Sequence, residues 1–475
     1  MKPELDIALE KGIEFLKSID KKEIIRLISH LDSDGICAAA IMVSALKKED
    51  RRFKLSILNQ LGDNELDILS KEDQKYYIFT DLGSGQLKNI SQKLPDKKIL
   101  ILDHHAFDEN SLQILNNSNI VHINPKLYGY NCNEEISGSG VAYIFSKKIN
   151  QTNIDMSHIA IIGAIGDSQE KKGFLGLNND MLEDAIKSNL ISLEKGIRWF
   201  GIETKSLVKL MSNSTDLKIP GVNGSEDRSY NFLKQIGIAP RGKVTWKKYS
   251  DLTDEEKEKL KKAIIEKRKD EKTPEDILGV RYILVNQENS SPTKDAKEFS
   301  TLLNACGRLG HYAIGVGACL NDSKSKEEAY EVLKEYRRKI TEGMNWYEEN
   351  KFNEKKILLK DGYIIINAKD EIIPTIIGTL SSIVSYSGYF QKKTFILSMA
   401  RIIEKNKTKI SLRCSKRDDG ADLRSIISEI MKTVNGESGG HVNAAGGTIL
   451  TSVEEDFIEN ADRILQKHVM IETIV

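Results

Sequence analysis

The chain has 475 residues, with 70 Lys and Arg against 70 Asp and Glu, 40% hydrophobic residues and 29% charged ones. This length suggests two to four domains, and the composition excludes disordered and fibrous classes. A net charge of zero removes any whole-molecule electrostatic argument for nucleic acid, so a basic surface has to be local.

No apolar run reaches the ~18–20 residues of a membrane span, and the start, MKPELDIALEKG, lacks the apolar stretch of a secretory signal, so no membrane partner is expected. The cysteines Cys37, Cys132, Cys306, Cys319 and Cys414 lie far apart without a C-x-x-C pair. That argues against a disulfide framework and a cysteine zinc site, and the expected location is the reducing cytoplasm.

Up to about residue 170, short β-rich runs alternate with helical stretches. Glu23–Ser29, Tyr76–Thr80, Lys98–Leu102 and Ile120–Ile123 read as buried strands, and Ile36–Leu46 and Val141–Ile149 as helices. Near-continuous apolar strands separated by helices predict an α/β fold with a doubly wound parallel sheet. Residues 182–250 turn helical and irregular. Asp251–Asp270 is a charged helix opened by a Thr253/Glu256 capping box, either a solvated face of an inserted subdomain or a partner or nucleic-acid contact. A polar helix at Lys326–Asn350 precedes a boundary near residues 345–355. After it come β-rich Ile357–Ile366, strands at Thr394–Arg401 and Lys409–Cys414, a helix at Asp422–Val434 and a strand at Gly447–Leu450. The expected domains are 1–180, a helical insertion and connecting region at 181–350, and a smaller α/β domain at 351–475, with a cleft between the outer two.

Four polar clusters each follow an apolar run: His30-Leu31-Asp32-Ser33-Asp34-Gly35, then Asp81, then Asp103-His104-His105, and last Asp167 after His158–Gly166. Ligands of an open parallel sheet bind outside the carboxyl ends of its strands, so the first three clusters point into one crevice. Taken singly, a D-x-D before a helix is ordinary capping, and a histidine pair is a weak signal. Recurrence at equivalent positions favours a metal site, because so many carboxylates in one crevice repel unless cations neutralise them. Mixed carboxylate and imidazole donors suit manganese, with magnesium on the oxygen-rich side. The economical reading is two divalent ions.

HLDSDG, TDLGSG, LDHH and GAIGD resemble the four successive motifs of the DHH phosphoesterases. GGHVNAAG at Gly439–Gly446 resembles the signature of their DHH-associated C-terminal domain. His-x-Asp-x-Asp-Gly in the first motif, and FSTLLNACGR at Phe299–Arg308, narrow the resemblance to RecJ-like single-strand-specific exonucleases, particularly the archaeal branch. The resemblance implies a two-metal site that activates water. Asp81 would bridge, His30 and Asp32 would complete one ion, and Asp34, His104 and Asp167 the other; the division of Asp32 and Asp34 between the ions is open. It further implies that His105 sits beside the substrate phosphate, with Asp103 orienting the neighbouring imidazole. Gly439 and Gly440 would let backbone N–H groups approach an anion closely, as side-chain-free turns do, while His441, Asn443, Ser411 and Arg413 bind phosphate oxygens. For Arg308, a backbone contact to nucleic acid and structural packing are both open.

The resemblance implies a manganese- or magnesium-dependent exonuclease on single-stranded DNA or RNA, in replication or repair. Two alternatives stand beside it. One is a replication scaffold binding the GINS complex of the replicative helicase, a role some family members have. The other is a small-substrate enzyme for oligonucleotides, cyclic dinucleotides or pyrophosphate. A pure scaffold is expected to lose metal ligands, and none is missing here. The long 180–345 region counts against a small substrate.

Overall fold

The computed structural model describes the whole chain except residues 118, 215–216, 387–389, 391–392, 416–421 and 475; the side chains of 116–117, 441 and 470–474 also lie outside the described set. The chain divides into two compact units, Met1–Leu333 and Lys334–Val475.

The first unit opens with α1 (Pro3–Lys17) and a sheet of β1 (Ile24–His30), β2 (Arg52–Leu58), β3 (Tyr76–Thr80), β4 (Lys98–Leu102) and β5 (Ile120–Ile123). The order is β2-β1-β3-β4-β5 and every pair is parallel. Parallel neighbours need crossovers, here α2 (Ser33–Lys48), α3 (Asp63–Ser70) and α4 (Leu87–Lys93). The strands are apolar on both faces because both are covered. Ile99 and Ile101 face Leu66, Leu69, Leu87 and Ile90 of α3 and α4, while Leu100 and Ile123 lie under Gly12 of α1. On the α1 side, α5 (Gly138–Ile149) and α6 (Ser157–Gly166) pack against α2 and each other. The four expected strands are present. β2 escapes a sequence reading because, as the edge strand, it carries Arg52, Lys54 and Ser56 on exposed or half-exposed positions that break the apolar run. The apolar stretch before Asp167 is the helix α6, buried nearly all round, so it shows no polar face.

After α7 (Gly176–Lys187), β6 (Ile191–Ile197) pairs antiparallel with β7 (Leu278–Leu284). Between them lie α8 (Leu207–Ser212), α9 (Glu226–Gln235) and α10 (Asp254–Lys267), packed around Trp199, Met211, Phe232, Leu233 and Leu260. The capping box of α10 forms: Glu256 N–H donates to Thr253 Oγ1 at 3.2 Å, and Thr253 N–H to Glu256 Oε2 at 3.1 Å. Helices α11 (Ala296–Arg308), α12 (Tyr312–Cys319) and α13 (Ser323–Asn350) follow, and the division between the units falls within α13.

The second unit holds β8 (Ile357–Lys360), β9 (Tyr363–Asn367), α14 (Ile377–Tyr386), β10 (Phe395–Ile402), β11 (Lys407–Cys414), α15 (Leu423–Lys432), β12 (Glu437–His441), β13 (Ala444–Leu450) and α16 (Glu454–Ile474). Its sheet runs β12-β13-β11-β10-β9-β8, with β9 and β10 its parallel pair. The β-rich run Ile357–Ile366 is a hairpin, turned at Asp361-Gly362 with Gly362 at φ +79°. Leu412 and Ile410 face α15 and α16 across a core that includes Ile426, Ile430 and Phe457, and the alternate residues Ser411 and Arg413 face α14. Among the described residues no helix is long and apolar enough to cross a membrane.

Candidate metal centre

The centre lies at the carboxyl ends of the first sheet. β1 delivers His30, and Asp32 caps α2, its Oδ1 accepting from Gly35 N–H at 3.0 Å. Capping leaves Asp32 Oδ2 facing His30 Nδ1 at 3.0 Å, so the ordinary N-cap and the polar site are one side chain. Asp34, in the first turn of α2, is 1% exposed. Its oxygens accept from the N–H groups of Gly138 at 2.6 Å and Ser139 at 3.0 Å, at the positive end of α5.

Asp81 follows β3 at φ +56°, a left-handed conformation that aspartate tolerates better than most residues. Its backbone N–H donates to Leu102 O at 2.9 Å, keeping the residue in register with β4. The carboxylate is 1% exposed, and no hydrogen bond from a described residue reaches either oxygen. Oδ2 lies 3.6 Å from His30 Nδ1 and Oδ1 3.3 Å from His104 Nε2. A Cβ at position 138 would come within 2.3 Å of Asp81 Oδ1, so only glycine fits there. After β4, Asp103 is fully buried and accepts from Ser84 N–H and His104 N–H, each at 2.8 Å, and from His105 Nδ1–H at 2.8 Å. His104 Nδ1–H donates to Cys132 O at 3.2 Å; a carbonyl only accepts, so Nε2 is turned toward the carboxylates. Asp167, the C-cap of α6, stands 3.4 Å from the same Nε2.

The electrostatics of this cluster favour added positive charge. Burial, reinforced by Asp81, pushes the Asp34 carboxyl up to about 6. Burial and then Asp34 raise Asp167. Burial opposes charge on His30 and His104, yet the carboxylates facing them win and both imidazoles are raised well above their ordinary value. For Asp32 burial is overridden by His30, and for Asp103 by His105, so both stay well below the usual carboxylate range. Protons thus gather where cations would. The donor atoms of His30, Asp32 and Asp81 lie within 4.8 Å of one another, as do those of Asp34, His104 and Asp167, and of Asp81, His104 and His105. The buried Asp81 carboxylate, which receives no hydrogen bond from a described residue and lies beside imidazole nitrogens and further carboxylates, fits divalent cations.

Every metal-ligand candidate from the sequence is in this cluster. Arg308, at the end of α11, is half-buried and close enough to Asp32 to help hold its carboxyl down. The remaining candidates belong to the second unit. Arg413 donates Nε–H to Ser382 Oγ at 3.0 Å and Nη1–H to Leu412 O at 2.8 Å and Ala445 O at 3.3 Å. Ser411 is buried, and no hydrogen bond from a described residue reaches its Oγ. Gly439 and Gly440 are exposed on β12 and Asn443 is exposed in the turn after it; the His441 side chain lies outside the described residues. The two glycines are thus strand residues rather than a turn. Backbone pairing to Gly446 and Ala445 holds them in the sheet, with Gly440 at φ +120°.

Sequence reasoning missed the supports. Gly138 and Ser139 sit in Ser137–Gly140, a small-residue N-cap whose meaning depends on Asp34 arriving from another element. On α11, Asn304 Oδ1 accepts Ser33 N–H at 3.0 Å, and Ser300 Oγ meets Ser33 Oγ at 3.0 Å. Gly307 lies so close to Leu31 O that an added Cβ would be 1.7 Å away. FSTLLNACGR therefore braces the loop that carries Asp32 and Asp34.

Residues 24–166 match the DHH family, N-terminal domain, residues 199–278 the DHH-CID domain and residues 361–467 the DHHA1 domain. An uncharacterized protein of Methanocaldococcus jannaschii is 29% identical over 93% of both chains. Among solved structures, CDC45 from Entamoeba histolytica superposes with TM-score 0.64 at 12% identity, covering 97% of this chain and 98% of that one. RecJ of Thermus thermophilus in complex with Mn2+ gives 0.58 at 13% identity, covering 97% of this chain, which spans only 55% of the RecJ chain. With these modules in sequence and a RecJ-like fold over nearly its whole length, the chain belongs to the DHH phosphoesterase superfamily.

Proposed function

We propose that this protein is a metal-dependent exonuclease that hydrolyses single-stranded DNA or RNA in replication or repair, in the cytoplasm, using two divalent ions, manganese in preference to magnesium. The observation that carries the reading is the sharing of Asp81, whose two oxygens face separate groups of donors. His30 and Asp32 would hold one ion with Asp81, and Asp34, His104 and Asp167 the other. The chemistry of such a pair is charge neutralisation at a phosphodiester and a lowered pKa for the attacking water. Asp103 fixes the His105 ring through Nδ1, which suits Nε2 of that ring to a phosphate oxygen. Residues 1–180 would do the chemistry and 351–475 the positioning, through Ser411, Arg413, Gly439, Gly440, His441 and Asn443, with 181–350 and Arg308 contributing to the strand's path.

The test is incubation with end-labelled single strands of DNA and RNA, with manganese or magnesium. Stepwise nucleotide release, abolished by chelation, is expected. Hydrolysis confined to dinucleotides, cyclic dinucleotides or pyrophosphate would replace the exonuclease reading with the small-substrate one. The CDC45 likeness supports a second, compatible reading as a scaffold on GINS in the replicative helicase. Pull-down with GINS of the same organism should succeed for wild type and for a metal-site variant, and failure with both would leave a stand-alone enzyme.

A further inference from the structure

Across residues 229–250 the sequence holds Lys234, Arg241, Lys243, Lys247 and Lys248 and no aspartate or glutamate. In a chain whose charges cancel overall, such a run is a local basic surface of the kind a polyanion reads. Its centre folds into a small hairpin. Gly242 N–H donates to Thr245 O at 2.8 Å, Lys247 N–H to Pro240 O at 3.0 Å, and Leu207 N–H to Lys247 O at 2.9 Å, which ties the hairpin to the start of α8. Its tip is open: Val244 is 94% exposed and Trp246 40%. The Arg241 guanidinium lies 4.1 Å from the Trp246 ring centroid. Tyr230 meets the same ring edge-on at 6.2 Å, and Lys234 Nζ stands 4.8 Å from the Tyr230 ring. Three acidic groups of the adjacent α10 are paired, Glu256 with Lys247 at 2.7 Å, Glu258 with Lys261 at 2.7 Å and Asp254 with Lys257 at 3.5 Å, so the cations the surface offers a ligand are Lys234, Arg241 and Lys243.

We propose that residues 230–248 form a binding surface for single-stranded nucleic acid, separate from the metal centre, in which Trp246 and Arg241 present planar groups to bases and Lys234 and Lys243 meet phosphates. Exposed aromatic groups interleaved with cations match a strand that offers both π-faces and regular negative charge. An acidic polypeptide without aromatic residues would engage the cations but leave the rings without a stacking partner. The hairpin's hydrogen bonds hold these groups in place before binding, so little ordering entropy opposes it. The inference goes beyond hydrolysis and needs no metal.

The test uses the full-length protein in excess chelator, so that no strand is cut, with fluorescent oligothymidylate and oligouridylate read by anisotropy. Trp246→Ala should weaken binding by about five- to a hundredfold, the range for loss of one stacked base. Lys234→Ala/Lys243→Ala should flatten the dependence of log affinity on log salt by about 1.4, since about 0.7 is lost per phosphate contact on a single strand. Oligonucleotide should quench tryptophan emission in wild type and not in Trp246→Phe, a variant that keeps an aromatic ring and hence the fold. Unchanged affinity in these variants, or competition by polyglutamate as strong as by oligothymidylate, would overturn the proposal. Because metal is absent, hairpin-dependent binding without later hydrolysis would sink the exonuclease reading and leave this one standing.

Discussion

At Asp81, backbone and side chain are under different demands. The backbone needs φ +56°, which aspartate and asparagine accept and most residues do not. The side chain holds a buried charge whose oxygens receive no hydrogen bond from a described residue, an arrangement that is costly unless cations compensate. Asp81→Asn therefore separates the two demands better than Asp81→Ala: the turn should survive while the shared carboxylate is lost. Metal content by mass spectrometry and hydrolysis should both fall, the latter by at least about a hundredfold, the upper range for losing even an outer partner of a metal ligand. Wild-type turnover in Asp81→Asn would remove Asp81 from the site. The strand-end motifs were legible as residue types; that Asp32 is at once a helix cap and a neighbour of His30 was not, because spacing alone does not say which oxygen faces which partner.

Among the elements, α11 has the most to say about the site although it supplies no candidate metal ligand. Ser300, Asn304 and Gly307 lie on one helical face, three to four residues apart, and meet the Leu31–Ser33 backbone and side chain. Asn304→Ala removes the acceptor for Ser33 N–H and should cost about 1–3 kcal/mol of stability, the penalty of a buried donor left unpaired. It should also weaken manganese binding, measured by calorimetric titration, while Asn304→Asp, which keeps an acceptor, should restore part of it. Equal affinity in Asn304→Ala and wild type would show that α11 only packs. As a sequence, FSTLLNACGR stood out by resemblance alone; its bracing role depends on a loop far away in the chain, which no local pattern encodes.

For the molecule as a whole, acid stability offers a check independent of metal. His122 is buried on β5, its Nε2 2.8 Å from Ser84 Oγ, and burial pushes its pKa down to about 4. The unfolded chain, with an ordinary histidine near ~6.5, binds the proton more tightly, so stability is full above that value and is lost as pH falls toward the folded pKa. The loss attributable to this residue is of order 3 kcal/mol by pH 4. In urea unfolding at pH 7.5 and 4.5, His122→Gln should lose less stability between the two than wild type does. An identical pH dependence in the two proteins would show that His122 does not carry the effect.

What the sequence determined by itself is what local chemistry can encode: the apolar strands of a parallel sheet, the polar residues at their ends, the capping box of α10 and the donor types of the candidate metal centre. The tertiary structure alone decided the rest. The edge strand β2 was hidden because solvent-facing charge interrupts its pattern, and α6 because burial all round erases helical periodicity. The β6–β7 pair joins strands separated by a whole helical subdomain. Arg413 reads in the sequence as a cation for substrate, yet three of its hydrogen bonds stay within its own unit. Gly138 is required because Asp81 lies against it, and Asp34 is held by the N–H groups of α5. These are contacts between segments remote in sequence, and their energies exist only once the chain has brought those segments together.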